Sequence, residues 1–270
     1  YEITYGDWSS DVCSSDLNPG DTAIFYRTNA QSRVFEEVFM RIGIPYKVVG
    51  GVRFYERKEI KDLLAYLRVV VNPEDEISMR RIINTPKRGI GDRTLDQLDL
   101  YARNNNLTFW QALCEVNINQ EFAAKSATTL IDFVKFIKSM QTLVEAKTRP
   151  SVITQAVLEE SGLLTELQDS KDPQDEVRVE NLEELVAVAT EYEESEVDEG
   201  EEISLTGFLE DVSLVADADQ IPDGEDHGGV VTMMTLHTAK GLEFPTVFLT
   251  GMEEGIQLPH LDRSDHVQTP

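Results

Sequence analysis

At 270 residues the chain is long enough for two domains of ordinary size, each with its own core. Its 41% hydrophobic content is that of a soluble globular protein. No run approaches the roughly eighteen apolar residues of a membrane span, and no basic-apolar-small leader opens the chain, so a cytoplasmic location and no membrane partner are expected. A net charge of −26 argues against nucleic acid, whose phosphates must be neutralised, until its distribution is considered. Residues 21–103 carry 15 Lys and Arg against 12 Asp and Glu, a net of +3, whereas residues 104–229 carry 7 against 29, a net of −22. A phosphate-binding surface in the first segment therefore stays open. Two cysteines, Cys13 and Cys114, make neither a disulfide framework nor a metal site.

Residues 1–17, YEITYGDWSSDVCSSDL, contain no Lys or Arg and follow neither helical nor strand spacing. Within them GDWSSDVCSSDL resembles a translated sequencing adapter. On that reading the stretch is disordered, native sequence begins near Asn18, and Trp8 and Cys13 carry no functional expectation. A buried strand follows at Thr22 to Tyr26, then a polar loop, then a helix from Ser32 to Ile42 with apolar positions at Val34, Val38 and Ile42. IPYKVVGG is a second strand closing on two glycines, and strand-helix-strand at this spacing predicts a parallel sheet. In ERKEIKDLLAYLRVVVNPED, Ile60, Leu63, Leu64, Leu67 and Val71 form one helical stripe that Asn72-Pro73 stops.

From there to about residue 220 the pattern is helical. Helices are predicted at Glu76 to Ile83, Thr94 to Asn104, Phe109 to Glu115, Ala123 to Glu145, Val152 to Ser161, Asp175 to Tyr192 and Leu205 to Val215. The runs EYEESEVDEGEE and ADADQIPDGEDHGG read as exposed loops. VVTMMTL and PTVFLTG then return to strand character. The fold class is α/β, a parallel sheet interrupted by a large all-α insertion that enters near Gly50-Gly51 and leaves near Gly228-Gly229. These glycine pairs read as hinges or as ordinary turns.

Three groups of residues could carry chemistry. In NTPKRGIGDRTLDQL, Gly89 and Gly91 flank Ile90, Lys87 and Arg88 supply charge, and a helix opening near Asp92 to Thr94 points its positive end the same way. That combination suits a phosphate, although Gly-x-Gly turns are common and Asp92 can be a simple helix cap. Lys61 and Arg68, with Arg57 one turn before, form either a phosphate-tracking row or a solvated helix face. Arg27 and Asn29 follow the first strand, and Thr235, His237, Lys240, Gly241 and Glu243 follow the third, at the strand ends where α/β sheets bind ligands. No G-x-x-x-x-G-K-[ST] phosphate loop, catalytic triad or metal-ligand spacing occurs.

The stretches AIFYRTNAQSRVFEEVFMRIGIPYKVVGGVRFYERKEIKDLLAYLRVVVNPEDE, RIINTPKRGIGDRTLDQL, RVENLEEL and VTMMTLHTAKGLEFPTVFLTGMEEG resemble, in order and spacing, the C-terminal half of superfamily 1 DNA helicases of the UvrD/PcrA type. The resemblance runs from about residue 20 to 256 and implies 3′-to-5′ helicase activity. It implies two RecA-like motor domains, 1A and 2A, with ATP between them and helical insertions 1B and 2B. Residues 18–51 and 229–256 then correspond to part of 2A and residues 52–228 to 2B. It implies that Arg27, Asn29, Thr235 and His237 lie on the single-strand track and that Glu243, Lys240 and Gly241 face ATP, Glu243 at the ribose. It also implies that Lys61, Arg68, Gly89, Ile90, Gly91 and Thr94 grip duplex DNA. The Walker A lysine loop and the magnesium-binding acidic pair are absent, so no catalytic residue is expected here. ATP and Mg²⁺ are expected to serve a full-length parent, and this chain is expected to turn over no ATP. After GMEEG the sequence leaves the family pattern, and residues 257–270 are an aberrant tail on this reading. A non-catalytic DNA-binding module and part of a recombination helicase-nuclease subunit are the alternatives.

Overall fold

The run TAIFY forms strand β1 (Thr22–Tyr26), and all its residues but one are buried, as alternation-free apolar strands covered on both faces require. The computed structural model describes residues 18–116, 122, 124–199, 202–218 and 229–251. The expectations for residues 1–17 and 257–270, for Gly228, and for most of ADADQIPDGEDHGG lie outside them. Helix α1 (Ser32–Ile42) follows and is closed by Gly43, whose φ of 71° lets its N–H reach the Met40 carbonyl while Ile44 N–H reaches Phe39. Strand β2 is Tyr46–Val49; β3 (Val231–Thr235) and β4 (Thr246–Leu249) come from the far end of the chain.

All pairings are parallel, and the strand order is β2-β3-β1-β4. β1 and β2 are therefore not neighbours: β3 lies between them, so two chain segments separated by the helical insertion interlock in one sheet. Phe35, Phe39 and Met40 of α1 cover the sheet core of Ile24, Tyr26, Tyr46, Val231 and Met233. The stripe Val34, Val38 and Ile42 is 45–59% exposed. The helix is apolar on two sides, and the apolar positions noted from spacing are on the side that looks outward.

The insertion is built around α2 (Lys58–Val71). The stripe read from the sequence is buried apart from the half-buried Val71, but so are Tyr66, Val69 and Val70. Only Lys58, Lys61 and Arg68 of this helix are exposed. A helix that is apolar nearly all round must be surrounded. Accordingly α3 (Glu76–Ile82), α6 (Ala124–Glu145), α7 (Pro150–Glu160), α9 (Pro173–Glu199) and α10 (Leu205–Ala218) all touch it. α4 (Asp92–Asn105) and α5 (Phe109–Glu115) pack on one another beside this bundle. One apolar core runs through the whole insertion, from Phe54 to Val212.

Two helical features differ from the sequence reading. A short helix α8 (Leu163–Gln168) follows Gly162, whose φ is 85°. The acidic run from Glu191 is not a loop, because α9 continues through it to Glu199. Its side chains have partners: Tyr192 packs on Phe208, Glu193 accepts the Ser151 N–H at 2.6 Å, and Glu191 bonds Arg33 at 2.9 Å. Charge runs stay unstructured when nothing repays the ordering cost, and here both apolar and ionic contacts repay it.

Candidate nucleic-acid interface

Parallel pairing places Tyr26 directly opposite Thr235. The segments that leave β1 and β3 therefore emerge side by side at the carboxyl edge of the sheet, where ligands of open α/β folds sit. The Leu236 N–H donates to the Tyr26 carbonyl at 3.0 Å and extends the pairing one residue into the loops. After β1, the Gln31 side-chain oxygen accepts the N–H groups of Arg27 (2.9 Å) and Thr28 (3.1 Å), which folds Arg27 to Asn29 into a fixed turn. After β3, the hydroxyls of Thr235 and Thr238 share a hydrogen bond of 2.9 Å. Gly50, at the end of β2, has φ of 76°, and a Cβ there would come within 2.8 Å of the Thr238 side chain. The loops after β1, β2 and β3 are thus assembled against each other.

Within this edge Arg27, Asn29 and Thr235 are half-buried, whereas His237, Lys240, Gly241 and Glu243 are exposed. Gly241 has φ of 87° and open space around it, so a ligand can approach its backbone. Arg27 faces Glu180 of α9. Burial and the neighbouring Glu183 push the Glu180 carboxyl above its ordinary value, while Arg27 and the Thr28 hydroxyl favour its charged form.

The second patch is the turn between α3 and α4. Ile90 is 1% exposed, so its side chain anchors the turn in the core. Its N–H, with that of Arg88, donates to the Asn84 side-chain oxygen at 3.2 and 2.9 Å. Arg88 is a strut: Nη2 donates to the Tyr66 hydroxyl at 2.6 Å and the Ser161 carbonyl at 2.7 Å. Nη1 donates to the Ile82 carbonyl at 3.1 Å and the Pro86 carbonyl at 3.3 Å. Its guanidinium also lies over the Tyr66 and Phe133 rings. The charge this turn offers to solvent comes instead from the exposed Lys87 and Arg93.

Gly89, with φ of 78°, and Gly91 are exposed, and a Cβ at either would meet nothing within 4 Å. Gly91 caps α4 without a side-chain bond, leaving the Asp92 and Arg93 amide groups available to an anion. Thr94 is 9% exposed and its N–H donates to the Gly91 carbonyl, so it shapes the turn from within. Lys61 and Arg68 remain exposed on α2, roughly 10 Å apart along its axis. Arg57 does not join them: it is 8% exposed and held inside the junction with the sheet. Asn84 and Asn181 are the polar residues that the sequence reading passed over, and Arg57, read as part of an exposed row, is buried instead; Asn84 was visible in principle, as an Asn opening a Pro- and Gly-containing turn.

The sequence matches the model of the UvrD-like helicase C-terminal domain over residues 10–266. It is 47% identical over 265 residues to ATP-dependent DNA helicase UvrD1 of Mycobacterium tuberculosis, covering 93% of this chain and 34% of that protein. Against ATP-dependent DNA helicase PcrA of Bacillus subtilis the identity is 43% over 243 residues, covering 89% and 32%. Against DNA helicase II of Haemophilus influenzae it is 46% over 237 residues, covering 87% and 32%. The chain spans about a third of the length of these relatives. With a sheet edge and a helical insertion of this form, and a match over nearly its whole length, the chain belongs to the UvrD-like helicase C-terminal domain family.

Proposed function

We propose that this chain is the 2A and 2B portion of an ATP-dependent 3′-to-5′ DNA helicase, with the sheet unit as part of 2A and the helical unit as 2B. The observation that carries this reading is the Tyr26–Thr235 register, because it sets Arg27 and Asn29 beside Thr235 and His237 on one edge. Arg27 and Asn29 hold the backbone of a single strand, and His237 meets it from the neighbouring loop. The α3–α4 turn takes duplex phosphates with Gly89 and Gly91 amides and the Lys87 and Arg93 charges, while Lys61 and Arg68 extend the contact along α2. Backbone contacts of this kind position DNA without reading its sequence.

The residues of the 235–243 loop fit an adenine nucleotide on chemical grounds. Glu243 is an exposed carboxylate that can accept both ribose hydroxyls, and Lys240 is an exposed cation beside the open backbone of Gly241. ATP with Mg²⁺ supplies the phosphoryl chemistry when bound, and the residues of this chain contribute orientation and charge at the sugar. Transition-state stabilisation needs cradled phosphates and a held metal ion. The 270 residues contain no G-x-x-x-x-G-K-[ST] loop for that task. The purified chain is therefore expected to bind DNA and to show no DNA-stimulated ATP turnover.

The test uses Gly91→Ala. Gly91 has φ of −93°, which alanine adopts without strain, and its added methyl meets no protein atom. Duplex affinity is expected to fall about tenfold as the methyl displaces phosphate from the amides, with thermal stability unchanged. Unaltered duplex affinity in this variant, or ATP turnover by the chain alone, overturns the reading.

A further inference from the structure

The stretch RVENLEEL, residues 178–185, lies on α9, far along the chain from both DNA patches, and no role above uses it. Its side chains nevertheless converge on the loop after β1. Glu180, Asn181 and Glu184 lie at helical spacings that share one face. Glu184 accepts from Arg33 Nε at 2.6 Å, and Arg33 is 2% exposed in the first turn of α1. Arg33 also donates to Glu37 at 3.0 and 3.1 Å and to Glu191 at 2.9 Å. Glu180 lies beside Arg27 and Thr28.

Asn181, 2% exposed, makes the most direct link. Its carbonyl oxygen accepts from Arg57 Nη1 at 2.7 Å, and its amide nitrogen donates to Glu59 at 2.6 Å. Arg57 in turn donates from Nη2 to the Asn29 carbonyl at 3.0 Å and the Ser32 hydroxyl at 2.8 Å, and from Nε to the Val52 carbonyl at 3.1 Å. One guanidinium therefore ties the single-strand loop, the crossing into the helical unit and α9. A primary amide answers both neighbours of position 181, with an acceptor for Arg57 and a donor for Glu59. Aspartate would face Glu59 with a like charge, and leucine would leave the buried Arg57 and the half-buried Glu59 each one partner short.

We propose that α9, through Asn181 and Arg57, is a positioning element for the Arg27–Asn29 loop, holding its backbone in the geometry that receives single-stranded DNA. This rests on the reading of that loop as the single-strand contact. Arg57 and Asn181 touch no DNA; they fix the carbonyl of Asn29 and the start of α1, so that the side chains of Arg27 and Asn29 are preorganised. The contact makes the helical unit part of the single-strand site, although that site lies on the sheet.

The test uses the whole chain with two labelled probes, an oligothymidylate and a blunt duplex. Asn181→Ser and Arg57→Lys are each expected to weaken oligothymidylate binding about tenfold, the factor for one lost hydrogen bond to a charged group, and to leave duplex affinity within about twofold. Amide hydrogen exchange is expected to rise at residues 27–31 and to stay unchanged in α2. A role confined to stability would weaken both probes together. Unchanged oligothymidylate affinity in either folded variant overturns the proposal, and should Asn181→Ser fail to fold, Arg57→Lys decides by the same criterion. Arg27→Gln separates the two layers. If it weakens oligothymidylate while the Asn181 and Arg57 variants do not, the inference falls and the loop assignment stands; if it has no effect, both fall.

Discussion

The helical unit and the sheet unit solve the problem of burial differently. Around α2 the apolar residues are enclosed by α3, α6, α7, α9 and α10, and Ile60, Leu63, Tyr66 and Leu67 lose all contact with water. In the sheet unit the core is five side chains wide, and large apolar surface stays open on α1 at Val34, Val38 and Ile42 and on β4 at Val247, Phe248 and Leu249. Each fully buried aliphatic or aromatic side chain contributes about 1.5–3 kcal/mol, so most of the stabilisation resides in the insertion. The sheet, which carries the proposed single-strand and nucleotide residues, leans on the insertion through Arg33 and Arg57. Rigidity and proposed chemistry are thus divided between the two units and meet at the α1–α9 junction.

The sharpest way to break this contrast is to truncate one aliphatic side chain to alanine in each unit. Leu63→Ala is expected to cost about 2–5 kcal/mol in chemical denaturation, because its fully enclosed site cannot collapse. Val247→Ala, on the exposed strand β4, is expected to stay within about 0.5 kcal/mol. Equal losses would show that the open sheet surface is as well packed as the α2 core.

A second effect belongs to the helical unit and to high pH. Burial pushes the Tyr66 phenol up to about 12. A proton held more tightly in the folded chain stabilises it fully below pH 10, and that contribution declines as pH rises through 12. Its size is about 2–3 kcal/mol, and Tyr66→Phe should flatten the alkaline limb of the stability curve. A limb of the same slope in the variant would mean that Tyr66 ionises freely in the folded chain. A smaller loss, about 1 kcal/mol, is expected for Asp75→Ala, since Asp75 caps α3 by accepting the Ser78 N–H at 3.1 Å. Hydrogen bonds from Ser78 outweigh partial burial and hold the Asp75 carboxyl below its ordinary range. Its contribution should therefore persist to mildly acid pH and vanish as pH falls through the folded-state value.

What the sequence disclosed follows the same division. The strands, the insertion and the α2 stripe were legible because strand and helix periods leave direct marks in the order of apolar residues. The strand order was not, since nothing local tells β1 that β3, some two hundred residues away, will separate it from β2. The side of α1 that meets the sheet was not legible either, because that helix is apolar on two faces, and spacing cannot say which one finds the sheet. Similarly, the acidic end of α9 looked like a loop until Arg33, Ser151 and Phe208 supplied partners from three other elements. Among the candidate site residues, the glycine turn and the strand-end loops were legible as motifs. The division of labour within the turn, with Arg88 inside and Lys87 and Arg93 outside, depends on the ring and carbonyl cage of Tyr66, Phe133 and Ser161, which only the packing reveals.

That division of labour supplies the smallest predicted effect. Lys87→Gln and Arg93→Gln each remove one exposed charge from the turn, so each should lower the slope of log duplex affinity against log salt by about one and leave folding untouched. Arg88→Met removes an equal charge, but one already committed to four hydrogen bonds and two rings. It should lower the melting temperature and leave the salt slope of the surviving folded protein near its starting value. Had Arg88 been the phosphate contact that its place in PKRGIG suggests, the order would reverse: its loss would flatten the salt dependence, and that of Lys87 or Arg93 would not.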